Sequence, residues 1–177
     1  MSIDEERLGY DAAMKEAHFI AAPLLTAAAL SLAGVVGGAD KRFLWPGPTL
    51  LLLVATAMTL LASMQLNYYA RQFLFTYREL EQNWIDHVDK WHNRAGDPEL
   101  RKVLLPKHNK AQVRYKKFAS RAVHTYNAGT LLLGLGIAAS LAPPGDGKQA
   151  LWRWTAAGLV AACTLAEGVW IVRIYKE

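Results

Sequence analysis

Residues 44–66 read LWPGPTLLLLVATAMTLLASMQL, a stretch with no charged side chain. A helix needs roughly 20 mostly apolar residues to cross a bilayer, so this segment alone points to a membrane protein. Working outward, residues 19–38 (FIAAPLLTAAALSLAGVVGG) form a second uncharged run just upstream. Two more follow a long polar middle. One, about Val123 to Ala142, has a short apolar run (LLLGLGIAASLA) resting on Tyr126 and Asn127; the other, about Ala150 to Val172, carries Arg153 near one end and Glu167 near the other. Lipid offers backbone groups no water, so helices are expected and not isolated strands. Four such runs are too many for the core of one small soluble domain. The expected fold is an all-α membrane protein: four transmembrane helices with a cytoplasmic helical hairpin between spans 2 and 3.

The expected organisation is a cytoplasmic N-terminal segment (1–18), a transmembrane hairpin (19–66), a cytoplasmic helical hairpin (67–122), a second transmembrane hairpin (123–172) and a short tail (173–177). The N-terminus is acidic and lacks the cationic start of a signal peptide. Lys and Arg set the orientation. Residues 67–125 hold twelve of them against six acids, 12 − 6 = +6, whereas the two short loops hold only Lys41 with Arg42, and Lys148. The positive-inside rule therefore places the middle segment and both termini in the cytoplasm. Aromatic residues agree: Phe43, Trp45, Trp152 and Trp154 mark the outer interface, and Tyr68, Tyr69, Tyr126, Trp170 and Tyr175 the inner one. The expected location is the plasma (inner) membrane, multi-pass, and the Ala- and Leu-rich composition suggests a bacterial source. Cys163 is the single cysteine, so no intramolecular disulfide can form.

Between Thr49 and Ala95 there is neither Gly nor Pro, and the second span is expected to continue as one helix past the membrane. Phe73, Tyr77, Leu80, Trp84, Val88 and Trp91 recur at steps of four, three, four, four and three, the stripe of a helix with one buried face. Ala95-Gly96-Asp97-Pro98 ends that helix and starts another. Pro106 is expected to break or kink the short helix 98–105, with a long one following over 107–142. A two-helix unit cannot bury its own stripe. Trp84, Trp91, Tyr77 and Leu80 are therefore candidate contacts with a second protomer; packing against the helix after Pro98 within one chain is the alternative.

Glu167 is the sharpest polar feature, about 9 Å of helix inside Arg173. A carboxylate at that depth tends to face a bundle interior or a water path. The alternative is that it reaches the inner headgroups, as Arg153 is expected to reach the outer ones beside Trp152 and Trp154. Gly34 and Gly38, and Gly158 with Ala162 and Ala166, are spaced for close helix contact, as are Gly129, Gly136 and Ser140. Pro23 is expected to kink the first span. Arg114, Lys116, Lys117 and Arg121, interleaved with Tyr115 and Phe118, form a basic run suited to anionic lipid or an anionic ligand, against a background of ordinary positive-inside bias. Asp86, His87, Asp89 and His92 resemble metal ligands, but their helical spacing spreads them around the axis and reads as a solvated face. Arg101 and His108 fit the loose Arg-x6-His pattern of HEPN-type ribonucleases, although Pro106 lies between them and Lys102 departs from the pattern. No Gly-rich phosphate loop, GxSxG elbow or HExxH occurs, so neither an enzyme nor a bound cofactor or metal is expected.

The layout of paired spans around a basic helical middle resembles small four-transmembrane effectors of bacterial antiviral and stress-response loci. That resemblance implies an oligomeric pore or membrane-disrupting protein, assembled through its cytoplasmic helices and switched by a cytoplasmic protein or an anionic ligand. The expected partners are the bilayer and further copies of the chain, not nucleic acid. Two other functions fit the same residues: a non-catalytic membrane anchor or scaffold subunit of a larger complex, and a small proton-coupled transporter, for which Glu167 is the supporting feature.

Overall fold

The computed structural model describes residues 17–87, 98–145 and 149–176, apart from the side chains at 17, 18, 40, 86 and 87. Among these residues the chain is helical and contains no strand. A π-helical turn (Ala17–Ala21) leads into α1 (Ala22–Gly38); α2 spans Pro46–Arg71, α3 Tyr77–His87, α4 Pro98–Leu141 and α5 Ala150–Ile174. The chain divides into two compact units, residues 1–64 with 123–177, and residues 65–122.

In the first unit, Phe19–Gly38, α2 and α5 are each long and apolar enough to cross a membrane. The 123–141 part of α4 is not among them: His124, Tyr126 and Asn127 dilute its apolar run. The apolar requirement is thus met by three helices among the described residues. Pro23 falls in the first turn of α1, just after the π-helical turn. Its missing N–H matters little there, and it accompanies a change of helix type where a kink was expected.

The unit's core joins Ala29, Ala33 and Val36 of α1, Leu53 and Ala57 of α2, and Leu133 of α4. Helix α4 makes the close approaches. A Cβ on Gly129 would lie 2.7 Å from Leu60 Cδ2, and one on Gly136 would lie 2.9 Å from Leu53 Cδ2, so both glycines let α4 close on α2. A Cβ on Gly134 would meet the Thr164 side chain, with Cγ2 at 2.9 Å, so Gly134 lets α4 close on α5. Small residues permit this backbone proximity where lipid gives no hydrophobic drive between helices. The least apolar of the four expected spans is thus the one in contact with both α2 and α5.

Arg153 does not simply extend to the interface. Its Nε donates to the Leu141 carbonyl at 3.1 Å, and Nη2 reaches the Ser140 and Ala142 carbonyls at 3.5 Å. It thereby supplies partners for the last carbonyls of α4, which have none within the helix.

In the second unit, α2 ends at Arg71 instead of running to Ala95. Thr76 explains the new start. Its backbone N–H donates to Glu79 Oε2 at 2.7 Å, and the Glu79 N–H donates to Thr76 Oγ1 at 3.2 Å. This reciprocal capping box satisfies two donors at the start of α3. Phe73 therefore lies in the turn between helices. Conversely, Pro106 does not break α4, which is continuous from Pro98. It removes one backbone donor in a helix long enough to absorb the loss. Leu100 and Leu104, both fully buried, form the core of this unit with Tyr77, Leu80, Trp84 and Ile85 packed against them.

Candidate functional site

His124, Asn127, Thr130, Glu167 and Tyr175 gather along one edge of the α4–α5 contact. Asn127 and Thr130 lie one turn apart on α4, where they share a face. Asn127 Nδ2 donates to Tyr175 Oη at 3.1 Å. Thr130 Oγ1 lies 3.2 Å from Glu167 Oε1 and 2.9 Å from the Asn127 carbonyl. The His124 and Tyr175 rings are 4.3 Å apart. These pairs run in opposite sequence directions, as antiparallel helices require. Glu167 and His124 are exposed in the protomer.

The Thr130 geometry has a chemical meaning. A hydroxyl carries one proton and so donates one hydrogen bond, while it can accept others. Thr130 Oγ1 sits between the Asn127 carbonyl and the Glu167 carboxyl, and its single proton serves one acceptor or is shared between the two. The hydroxyl thereby ties Glu167 of α5 to the backbone of α4.

Glu167 was visible in the sequence as an isolated carboxylate. Thr130 as its partner was not. The available signal was the Asn127/Thr130 spacing on an otherwise apolar helix, together with an acid on the next span.

The small-residue pairs divide differently. A Cβ on Gly34, Gly38 or Gly158 would meet nothing within 4 Å, and Ala162 is exposed. Among the described residues nothing occupies the Gly34, Gly38 and Gly158 positions, whereas Gly129, Gly134 and Gly136 make close contacts between helices.

In the second unit, Trp84, Tyr77 and Leu80 cover Leu100 and Leu104, and Lys107 Nζ stands 3.6 Å above the Trp84 ring. This is a cation–π contact from the basic segment itself. Trp91 and Val88 lie outside the described residues. His108 sits beside Phe75 and Tyr77, with ring centroids 6.1 Å away in both cases. Its Nε2 is 2.9 Å from Gln112 Nε2. Among the described residues Tyr77 Oη, Trp84 Nε1 and His108 Nδ1 are buried without a hydrogen-bond partner. Each such atom carries a desolvation cost.

Arg114, Lys116, Lys117 and Arg121 are exposed on α4. Arg114 lies 5.8 Å from the Phe73 ring centroid and Arg121 6.0 Å from that of Phe118. Tyr69, Phe73 and Phe118 form one aromatic cluster, Tyr69 meeting each of the other two edge-on. Among the described residues no group of three His, Cys, Asp or Glu could hold a metal; the side chains of Asp86 and His87, and all of Asp89 and His92, lie outside them.

No known protein family, curated protein or solved structure matches the chain. The geometry defines a class: an all-α protein with, among the described residues, three helices long and apolar enough to cross a membrane and a hydrogen-bonded carboxylate on the last of them.

Proposed function

We propose that the chain is an oligomeric integral membrane protein of a bacterial plasma (inner) membrane, acting as a pore-forming or membrane-disrupting effector. In this reading the 123–142 segment is a fourth span, residues 67–122 are cytoplasmic with both termini, and the cytoplasmic helices drive assembly. One observation carries it. The Glu167 edge, with Thr130, Asn127, Tyr175 and His124, is polar and open on a unit whose other surface is largely apolar. In a lone protomer the deeper part of that edge, Thr130 and Glu167, would face hydrocarbon, where a carboxylate is costly. Neighbouring copies arranged around it would give it water or polar partners. The open Gly34/Gly38 and Gly158/Ala162 faces suit contacts between such copies. The three unsatisfied polar atoms around Trp84 make the cytoplasmic helices a costly packing that a protein partner or anionic ligand can rearrange.

A second reading has its own support. Trp84, Tyr77 and Leu80 are already covered by Leu100 and Leu104 within one chain, so assembly through that face is not required, and this favours a membrane anchor or scaffold subunit. The Glu167 carboxylate, hydrogen-bonded to Thr130, favours a small proton-coupled transporter in the same way.

Dye and ion release from liposomes at defined protein-to-lipid ratios, with particle size measured in mild detergent, tests the first reading. Flux from a multimeric particle is expected. A monomer without flux leaves the scaffold reading, and flux only with a driven counter-substrate leaves the transporter. Trp84→Ala with Trp91→Ala is expected to reduce particle size. Topology is checked in a Cys163→Ser background. Cysteines at Lys41 or Gly147 are expected to react with impermeant reagent from outside, and one at Lys110 is not.

A further inference from the structure

Opposite the Glu167 edge, α4 and α5 enclose an open groove of about 590 Å³. Its walls are Leu131 and Leu135 of α4 with Leu165, Val169 and Val172 of α5, and its end carries Arg173 and Lys176. Leu165, Val169 and Val172 fall at i, i+4 and i+7, one side of α5, and Lys176 follows in the turn just past its end. Glu167 precedes Val169 by two residues, about 200° around the axis, so its carboxylate faces away from the groove. Leu165, Val169, Val172 and Arg173 are exposed, and no carboxylate among the described residues pairs with Arg173 or Lys176.

We propose that this groove is a binding site for one anionic phospholipid, with an acyl chain along the Leu131–Val169 walls and the phosphate on Arg173 and Lys176. This rests on the membrane-spanning reading of α5. Two features select that occupant. The first is charge: an apolar trough closed at one end by two cations matches an amphiphile with an anionic head, and cations at a helix end near the inner interface attract acidic lipid. The second is length. From Leu165 to Ile174, the last residue of α5, the helix rises about 14 Å, close to half of a hydrocarbon core roughly 30 Å thick. The groove thus spans one leaflet and ends where the headgroup begins. A detached anion would use the cations and leave the walls uncovered; a neutral lipid would use the walls and leave the cations without a partner.

The test is native mass spectrometry of the full chain in mild detergent, with phosphatidylglycerol or phosphatidylcholine added. Retention of one phosphatidylglycerol per protomer is expected, several-fold above phosphatidylcholine. Arg173→Gln with Lys176→Gln changes two exposed positions and is expected to lower phosphatidylglycerol retention to the phosphatidylcholine level at unchanged particle size. Val169→Trp fills the groove with both cations intact and is expected to reduce retention of either lipid. Glycerol phosphate is expected not to displace the lipid. Equal retention of the two lipids, insensitivity to the Arg173/Lys176 change, or displacement by glycerol phosphate would overturn the proposal. So would loss of retention on Arg114→Gln with Lys117→Gln, because the anion would then sit on the basic run. Carbonate extraction separates the two premises: release of the chain from membranes sinks the membrane reading itself, whereas a membrane-embedded chain without lipid selectivity sinks only the lipid site.

Discussion

Arg153 Nε donates to the carbonyl oxygen of Leu141 at 3.1 Å, so a side chain from the first turn of α5 closes the C-terminus of α4. Hydrogen bonds from a charged donor are typically worth about 1.5–3 kcal/mol, and this group is partly exposed, which places it toward the lower end. Arg153→Leu is expected to destabilise the first unit by about 1–2 kcal/mol and Arg153→Lys by less, read as a fall in midpoint of thermal unfolding in detergent. An unchanged midpoint for Arg153→Leu would show that the contact contributes nothing.

Thr130 and Glu167 give a prediction about conduction. Glu167→Gln keeps the shape of the side chain and its capacity to bond Thr130 Oγ1 while removing its charge. The variant is expected to change the ion selectivity or the rate of liposome flux, while particle size stays the same. Thr130→Val removes both of the hydroxyl's bonds and is expected to alter flux as well. If both variants keep the wild-type flux and selectivity, the pair has no part in conduction.

Glycine position separates internal from external contacts. Gly134→Ala forces its methyl into the buried Thr164 side chain, and overpacking of this kind typically costs about 1–3 kcal/mol. Gly158→Ala meets open space and replaces Gly with a better helix former, so the protomer is expected to be as stable as wild type or more so. A smaller particle for Gly158→Ala at unchanged protomer stability would place Gly158 between copies; an unchanged particle would remove it from the interface.

Glu79 links α3 to pH. The Thr76 backbone N–H, and then its hydroxyl, hold the exposed Glu79 carboxyl below its ordinary value of 4.5. A carboxylate whose folded pKa is lowered contributes stability above the unfolded pKa and loses it as pH falls through the folded one. Amide exchange in the first turn of α3 is therefore expected to quicken as pH drops below about 4.5, once corrected for intrinsic rates. Thr76→Ala should quicken it at neutral pH, by about 1 kcal/mol of cap. Glu79→Gln should flatten the acid response. An acid response surviving in Glu79→Gln would assign it to another group.

The apolar runs at 19–38, 44–66 and 150–172 were legible because length and lack of charge act locally. The end of α2 was not, although Thr76-Tyr77-Arg78-Glu79 carries the capping-box pattern: no Gly or Pro marks that end, and the new helix is set by the reciprocal bonds of Thr76 and Glu79. Pro106 misled in the opposite direction, because one lost donor does not end a helix that packs on both sides of it. The glycines on α1 and α5 had the spacing for close contact, but spacing cannot say which helix stands opposite. That depended on α4 lying between α2 and α5, a tertiary fact. The partnership of Thr130 with Glu167 is of the same kind.

The hydroxyls on the apolar helices bear on how the chain enters a bilayer. Thr26, Thr49, Thr56, Thr59 and Thr164 each donate to the carbonyl four residues earlier, at 2.7–2.8 Å. The hydroxyl proton of each is therefore satisfied inside its own helix before any neighbour arrives. A segment built this way can leave the insertion machinery singly, without waiting for a companion to shield its polar atoms. Glu167 has no such local partner. Its hydrogen bond comes from Thr130 on the preceding helix, so α5 is the segment whose insertion should depend on the one made before it.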